Sequence, residues 1–192
     1  MIREIVIFGD PVLRKKCDLV KNFSEDINAL ADDMLETMVS AEGIGLAAPQ
    51  VGIPMQLAVV DVSHDPESIS YLRVDGKKAD LLDMMPLIFL NPELEFGGEQ
   101  DVMSEGCLSF PEIRGEITRP YELKAKVKLM NGNTVTIETD GLLSRAIQHE
   151  TDQPFPRVAP WVRLPTPTSA LKVRNKMWLD SDGARPRQHF LW

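Results

Sequence analysis

Five prolines within fourteen residues divide the chain into two parts of different character. They stand at positions 154, 156, 160, 165 and 167. Proline has no backbone N–H and its ring clashes with the preceding turn, so a helix cannot continue through such a run. A helix that reaches this run must end at about Gln153. The sequence therefore predicts one domain over residues 1–152 and an atypical proline-rich tail over residues 153–192.

The composition favours a globular protein and excludes several functional classes. A chain of 192 residues with 43% hydrophobic and 26% charged residues can bury a substantial core. Its net charge of -8 argues against direct nucleic-acid binding, which needs a basic surface. No apolar stretch approaches the length of a membrane span. Two cysteines cannot form a disulfide framework, which favours a reducing, cytoplasmic setting.

A helix is predicted between Ser24 and Gly43. Ser24 is suited to cap the first free amides, and Glu25 and Asp26 are favourable in the first turn. The apolar residues recur at helical spacing, so one face is expected to pack on a core. These residues are Ile27, Leu30, Ala31, Met34, Leu35 and Met38.

Apolar and alternating runs predict the strands. These runs cover residues 5–8, 57–62, 87–90, 124–130 and 135–137. The last two runs are joined by Asn131-Gly132-Asn133, a pattern typical of a hairpin. Residues 63–85 lack periodicity and are predicted to be an irregular excursion. Gly141 leads into a second predicted helix.

The second helix carries the residues with the clearest chemistry. Residues 149–153 read His-Glu-Thr-Asp-Gln, where a metallohydrolase helix would read His-Glu-x-x-His. Side chains four apart project from the same face, so His149 and position 153 could hold one metal ion. Glu150 would lie beside it and could exchange protons with water and a leaving amine. A surface pair on a helix is the alternative for an isolated His-Glu.

Cys107 lies in the segment Glu105-Gly106-Cys107-Leu108-Ser109. Its thiolate would be a strong additional metal ligand, and the adjacent glycine allows close approach of the backbone. A buried apolar thiol is the commoner fate of a free cysteine. The segment is too irregular for an ordinary core strand, which favours the ligand interpretation.

The segment from Gly43 to Gln50 reads Gly-Ile-Gly-Leu-Ala-Ala-Pro-Gln. Its glycines would let an extended substrate lie against the backbone. The Gln50 amide could donate to a developing oxyanion, with the Leu108 backbone amide as second donor. A helix C-cap followed by a turn would explain the glycines equally well.

Together these three segments resemble peptide deformylases over residues 1–152. The resemblance implies an α+β fold with antiparallel or mixed sheets around a central helix that carries His149 and Glu150. It implies removal of the N-formyl group from the N-terminal methionine of nascent polypeptides at the ribosome, with release of formate. It also implies one divalent metal ion, Fe²⁺ natively, with Zn²⁺, Ni²⁺ or Co²⁺ as substitutes.

The resemblance also assigns roles to individual residues. Cys107 and His149 become metal ligands, Gln153 stands at the third ligand position, and Glu150 becomes the acid and base. Gln50 and the Leu108 amide would stabilise the tetrahedral intermediate. The remaining assigned residues contact the substrate; they are Gly43, Ile44, Gly45, Glu105, Gly106, Arg114, Arg145 and Ala146.

Two departures from the family pattern begin at residue 153. Gln153 replaces a histidine, and its amide oxygen is a poorer ligand than imidazole for Fe²⁺ or Zn²⁺. The proline-rich tail then replaces the expected continuation, which suggests a disrupted reading frame. A catalytically impaired relative that only binds N-terminal methionyl peptides is the alternative function. A zinc protease is disfavoured because its second histidine is absent, and His64 or His189 are weak candidates for a replacement ligand.

Overall fold

The computed structural model describes residues 1–152, which form an α+β fold. The α-helices are α1 (Glu25–Ser40), α2 (Leu81–Met84) and α3 (Gly141–Asp152). The strands are β1 (Gly45–Ala47), β2 (Leu57–Val60), β3 (Leu72–Val74), β4 (Lys77–Lys78), β5 (Leu87–Cys107), β6 (Phe110–Leu129) and β7 (Thr134–Thr139). Short 3-10 helices cover Pro11–Arg14, Ala48–Val51 and Pro66–Ser68. Position 153, where the second helix was predicted to end, lies outside the described residues, as does the tail.

The strands of this region form one sheet in the order β1-β2-β5-β6-β7-β3-β4. Every neighbouring pair is antiparallel. The predicted hairpin is confirmed, with β6 and β7 joined at a turn where Gly132 has a φ of 88°. The Leu129 N–H closes this turn by donating to the Asn133 carbonyl at 2.8 Å.

The sheet separates two hydrophobic clusters. Alternate residues of β2 face opposite sides: Leu57 and Val59 pack with α1, whereas Ala58 and Val60 pack with α3. The α1 side also contains Leu30, Met34, Met38, Leu46 and Leu90. The α3 side also contains Phe89, Ile137, Leu143, Ala146 and Ile147. Residues Gly141 to Thr151 of α3 are all buried, so this helix lies in the interior, as predicted.

The ends of α1 are capped by backbone groups more than by side chains. Ser24 is the N-cap residue, but its side chain makes no capping hydrogen bond, so this detail of the prediction was wrong. The C-terminal end is a Schellman turn, in which the Gly43 N–H donates to the Met38 carbonyl at 2.9 Å. The left-handed residue of this turn is Glu42, with a φ of 56°. Gly43 is needed for another reason, because a Cβ there would lie 2.8 Å from Leu108 Cδ1.

Two other local predictions were wrong. Residues 5–8 form no regular strand, although the Val6 N–H donates to the Gln50 carbonyl and the Phe8 N–H to the Ser109 carbonyl. Residues 63–85 contain β3, β4 and α2. The segment that leads to Cys107 is the end of β5, and its pairing with β6 is irregular between Gly106 and Cys107, in agreement with the irregularity expected from the sequence. The ribbon of β5 and β6 is largely exposed along residues 91–104, so no apolar pattern marked it as a strand.

None of the helices within residues 1–152 is long and apolar enough to cross a membrane.

Candidate active site

The three sequence motifs converge where the end of β5 meets α3. Cys107 is the last residue of β5, and His149 and Glu150 lie in the last turns of α3. Gln50 lies in the 3-10 helix that follows β1. Its Nε2 atom donates to Cys107 Sγ at 3.5 Å, and His149 is hydrogen-bonded to the same thiol. Residues separated by about one hundred positions in sequence thus form one buried cluster.

His149 is held between a thiol and a carboxylate. Its Nδ1 atom lies 2.9 Å from Glu105 Oε2, which leaves Nε2 as the nitrogen on the other edge of the ring. Only 3% of His149 and 5% of Cys107 is exposed. Burial by itself lowers the pKa of His149, but the hydrogen bonds to Cys107 and Glu105 outweigh it and raise this pKa to about 10.

Glu105 is a fully buried carboxylate whose acceptor positions are filled. Its Oε1 accepts from Arg119 Nε at 2.7 Å and from Arg145 Nη1 at 2.7 Å. Its Oε2 accepts from Arg119 Nη2 at 3.0 Å, beside the contact with His149. Burial raises the pKa of Glu105, but hydrogen bonds from His149 and Arg119 dominate and lower it to about 2. Glu105 therefore remains ionised and fixes the orientation of the imidazole.

Glu150 has the opposite environment. It is 1% exposed, and among the described residues its Oε2 atom has no hydrogen-bond partner. Burial is the main cause that raises the pKa of Glu150 to about 7. A Cβ added at Gly45 would collide with Glu150 Oε1, so the glycine provides the space that this carboxylate occupies. A carboxyl group that titrates near neutral pH is suited to give and take protons.

Gln50 is oriented by the backbone of its own segment. Its Oε1 accepts from the Ala47 N–H at 2.8 Å, which directs the Nε2 donor towards Cys107. Only 1% of Gln50 is exposed. Leu108 follows Cys107 in the two-residue turn between β5 and β6, and its side chain packs against Gly43. Both predicted oxyanion donors therefore belong to segments that contact the Cys107 region.

The predicted substrate-contacting residues occupy different environments. Ile44, Gly45 and Ala146 are buried, with Ile44 and Ala146 in the hydrophobic cluster on the α3 side of the sheet. Arg114 is exposed on β6 opposite Gly106 and donates to the Ser104 carbonyl at 3.2 Å. The side chains of Glu105 and Arg145 are buried against each other.

Arg119 belongs to this site and was not found by sequence reasoning. It is 7% exposed, and besides Glu105 it binds Asp152 Oδ2 through Nη1 at 2.8 Å. The available signal was its position in the alternation of β6, where it falls on the same face as the buried Ile117.

Cys107 and His149 are suitable ligands for a divalent metal ion, but they are only part of a complete ligand set. A cysteine thiolate and an imidazole are ligands that suit Zn²⁺ and Fe²⁺. Residues 1–152 contain no group of three or more His, Cys, Asp and Glu side chains placed to hold a metal ion. The predicted third ligand, Gln153, lies outside these residues, as does His189. His64 is exposed in the loop between β2 and β3.

Comparison with known proteins identifies the family. Residues 2–155 match the family model for polypeptide deformylase. The chain belongs to this family. It is 44% identical to a peptide deformylase of Opitutus terrae over 154 residues, which are 79% of this chain and 80% of the relative. It is 43% identical to the peptide deformylase of Methylacidiphilum infernorum over 152 residues, with the same coverage of both chains.

Solved peptide deformylase structures have the same fold. The Thermotoga maritima enzyme is 38% identical, with a TM-score of 0.68 over 80% of this chain and 92% of that structure. The Legionella pneumophila structure is 30% identical, with a TM-score of 0.70 over 91% of this chain and 92% of its own. A Synechococcus elongatus peptide deformylase in complex with actinonin is 35% identical, with a TM-score of 0.67 over 79% and 73% of the two chains. Membership of the family implies a divalent metal ion, and the family match ends where the prolines begin.

Proposed function

We propose that this protein is a metal-dependent hydrolase that removes the N-formyl group from the N-terminal methionine of newly made polypeptides and releases formate. The observation that supports this most directly is the Glu150 carboxyl group, buried beside the Cys107–His149 pair. An ionisable group buried without a hydrogen-bond partner for Oε2 is costly for stability, which points to a chemical role.

Cys107 and His149 would hold the metal ion, with Gln153 at the third ligand position. We expect Fe²⁺ natively, with Zn²⁺, Ni²⁺ or Co²⁺ able to replace it. When bound, the ion would polarise the formyl carbonyl group as a Lewis acid. Glu105 contributes by orienting His149 through Nδ1, at 2.9 Å.

Glu150 would take a proton from the attacking water and deliver it to the leaving amine. A pKa of about 7 lets the same carboxyl group act as base and then as acid near neutral pH. Gln50 Nε2 and the Leu108 N–H would donate to the oxyanion that develops on the formyl oxygen. The C–N bond then breaks, and formate and a free methionyl amine result.

The substrate would be an N-formylmethionyl nascent peptide in the cytoplasm, met at or near the ribosome. The residues proposed to contact it or to border its methionine side chain are Gly43, Ile44, Gly45, Glu105, Gly106, Arg114, Arg145 and Ala146. The exposed Arg114 is suited to the rim of such a site. The backbone of Ile44 and Gly45 is suited to an extended peptide, since β1 pairs with one strand, β2, within the described sheet.

Gln153 is expected to weaken metal binding without altering the other groups. An amide oxygen is a poorer donor than imidazole, so the affinity for Fe²⁺ or Zn²⁺ should fall below that of a three-ligand site. The alternative is a catalytically impaired relative that only binds N-terminal methionyl peptides. The active deformylase and the impaired relative would use the same peptide-binding residues, and they would differ in turnover.

Hydrolysis of formyl-Met-Ala-Ser by protein loaded anaerobically with Fe²⁺ or Co²⁺ tests the proposal. We expect release of formate, no release of acetate from acetyl-Met-Ala-Ser, and loss of turnover in Cys107→Ala. Calorimetric binding of Met-Ala-Ser, with no turnover at any metal concentration, would instead establish the impaired relative. Equal hydrolysis by the parent protein and Cys107→Ala would overturn the metal-site assignment.

A further inference from the structure

Two side chains of α3 contact the same buried carboxylate. Arg145 and His149 are four residues apart, so they project from one face of the helix, one turn from each other. Arg145 Nη1 contacts Glu105 Oε1 at 2.7 Å, and His149 Nδ1 contacts Glu105 Oε2 at 2.9 Å. The carboxylate thus spans one turn of α3.

Glu105 is also fixed relative to Cys107. Both residues belong to the end of β5, two positions apart, and both are hydrogen-bonded to His149. A contact that fixes the position of α3 relative to Glu105 therefore also fixes the position of His149 relative to the Cys107 thiol. We propose that Arg145 is a positioning residue, which acts through Glu105 to hold His149 against Cys107.

Other contacts of Arg145 fix the position of its guanidinium group. It is 3% exposed, and it also donates to the Ile117 carbonyl at 3.1 Å and to the Asp101 carbonyl at 3.0 Å. These acceptors belong to β5 and β6, so one guanidinium group ties α3 to both strands of the ribbon. A planar guanidinium with several filled donors has little freedom to reorient.

Arg119 holds Glu105 from a different element. It projects from β6, and it reaches α3 through Asp152 in the last turn of the helix. Arg145 differs because it belongs to the same helix as the histidine that it positions, one turn before it.

The catalytic consequence rests on the proposed function, but the positioning itself is testable without it. The chain contains three histidines, so ¹⁵N-histidine labelling of the metal-free protein gives a simple spectrum. The signal of the His149 Nδ1–H hydrogen-bonded to Glu105 reports the contact directly. Arg145→Met should shift or abolish this signal. Arg145→Lys should shift it less than Arg145→Met does, because it keeps the positive charge, but should still shift it, because an ammonium group lacks the planar fork.

Asp101→Ala is the matched control. It removes the ion pair of Asp101 with Arg145 Nη2, at 3.0 Å, and leaves the contact of Arg145 with Glu105. The His149 signal should stay at the parental position in this variant. A folded Arg145→Met with an unchanged signal would overturn the proposal. If Arg145→Met does not fold, an unchanged signal in Arg145→Lys would do the same.

Metal binding and kinetics then separate this inference from the proposed function. Co²⁺ affinity should fall about tenfold in Arg145→Met and remain parental in Asp101→Ala, as expected when the support of a ligand is removed. With a parent that turns over, the fall in kcat should exceed any change in KM for formyl-Met-Ala-Ser. A rise in KM with unchanged kcat would limit Arg145 to its proposed place at the border of the methionine pocket and overturn the positioning role. A parent without turnover would defeat the proposed function and leave the spectroscopic test intact.

Discussion

At the scale of single residues, burial gives two neighbouring carboxyl groups opposite properties. Glu105 is surrounded by Arg119, Arg145 and His149, and its pKa falls to about 2. Glu150 lies in the same region, and burial raises its pKa to about 7. The motifs identified Glu150, Cys107 and Gln50 because their types and order are distinctive. They did not identify Arg119, because its place in the alternation of β6 indicates a buried position but not which carboxylate it will bind.

The raised pKa of Glu150 predicts a pH-dependent gain in stability for Glu150→Gln in the metal-free protein. Between pH 4.5 and 7 the folded state holds a proton that the unfolded state has released, so stability falls as pH rises. Above pH 7 the variant should be more stable than the parent by roughly 3 kcal/mol, and near pH 4.5 the two should converge. Denaturant unfolding across this range measures the difference. A difference independent of pH would contradict the assignment.

Gly45→Ala should impair turnover by displacing Glu150. The added Cβ would collide with Glu150 Oε1, so the carboxylate must move away from its place beside the Cys107–His149 pair. We expect kcat to fall by on the order of a hundredfold, the lower range for loss of general acid–base catalysis. Gly97→Ala is the control, since its Cβ would meet side-chain atoms of Glu122 no closer than 3.4 Å. Equal kcat values for both variants would contradict this role of Gly45.

At the scale of secondary structure, α3 is the element on which the site depends. Its apolar spacing and His-Glu pair were readable from the sequence, and the helix is confirmed. The β5–β6 ribbon was not predicted over residues 91–107, although it carries Glu105 and Cys107. Much of it is exposed on both faces, so the alternation that marks a half-buried strand is absent.

Gly141→Ala should destabilise the start of α3. Gly141 has a φ of 56°, and a Cβ there would collide with the Ser68 carbonyl oxygen. We expect the free energy of unfolding to fall by about 3 kcal/mol, from backbone strain and steric overlap together. Gly132→Ala isolates the strain, because Gly132 has a φ of 88° and nothing within 4 Å of the added atom. Losses of the same size in both variants would show that the contact with Ser68 contributes nothing.

At the scale of the whole molecule, the sheet separates the α1 side of the core from the side whose helix carries His149 and Glu150. α1 packs on one face with Met34, and α3 packs on the other with Leu143. The α+β class was implied by the resemblance of the three motifs to peptide deformylases, and the helical and strand patterns agree with it. The order of the strands did not follow from the sequence, since β3 and β4 join the sheet through β7 across residues with no periodic signal.

This division predicts different consequences for two equivalent core substitutions. Met34→Ala and Leu143→Ala each truncate a side chain with 0% exposure, and each should cost about 2–5 kcal/mol of stability. Met34→Ala should leave Co²⁺ affinity at the parental value, whereas Leu143→Ala should weaken it, because α3 carries His149. Thermal unfolding and metal titration of both variants measure the two effects. Equal Co²⁺ affinities would contradict the division.

The most direct test of the account is the metal content and formyl-Met-Ala-Ser hydrolysis of anaerobically purified protein beside Gln153→His. We predict that the parent binds a divalent metal ion through Cys107 and His149. Gln153→His should tighten this binding by roughly 10–100-fold, because it restores an imidazole ligand, and turnover should rise in parallel. Absence of bound metal and of hydrolysis in both forms would contradict the proposal that Cys107, His149 and Glu150 form a working deformylase site.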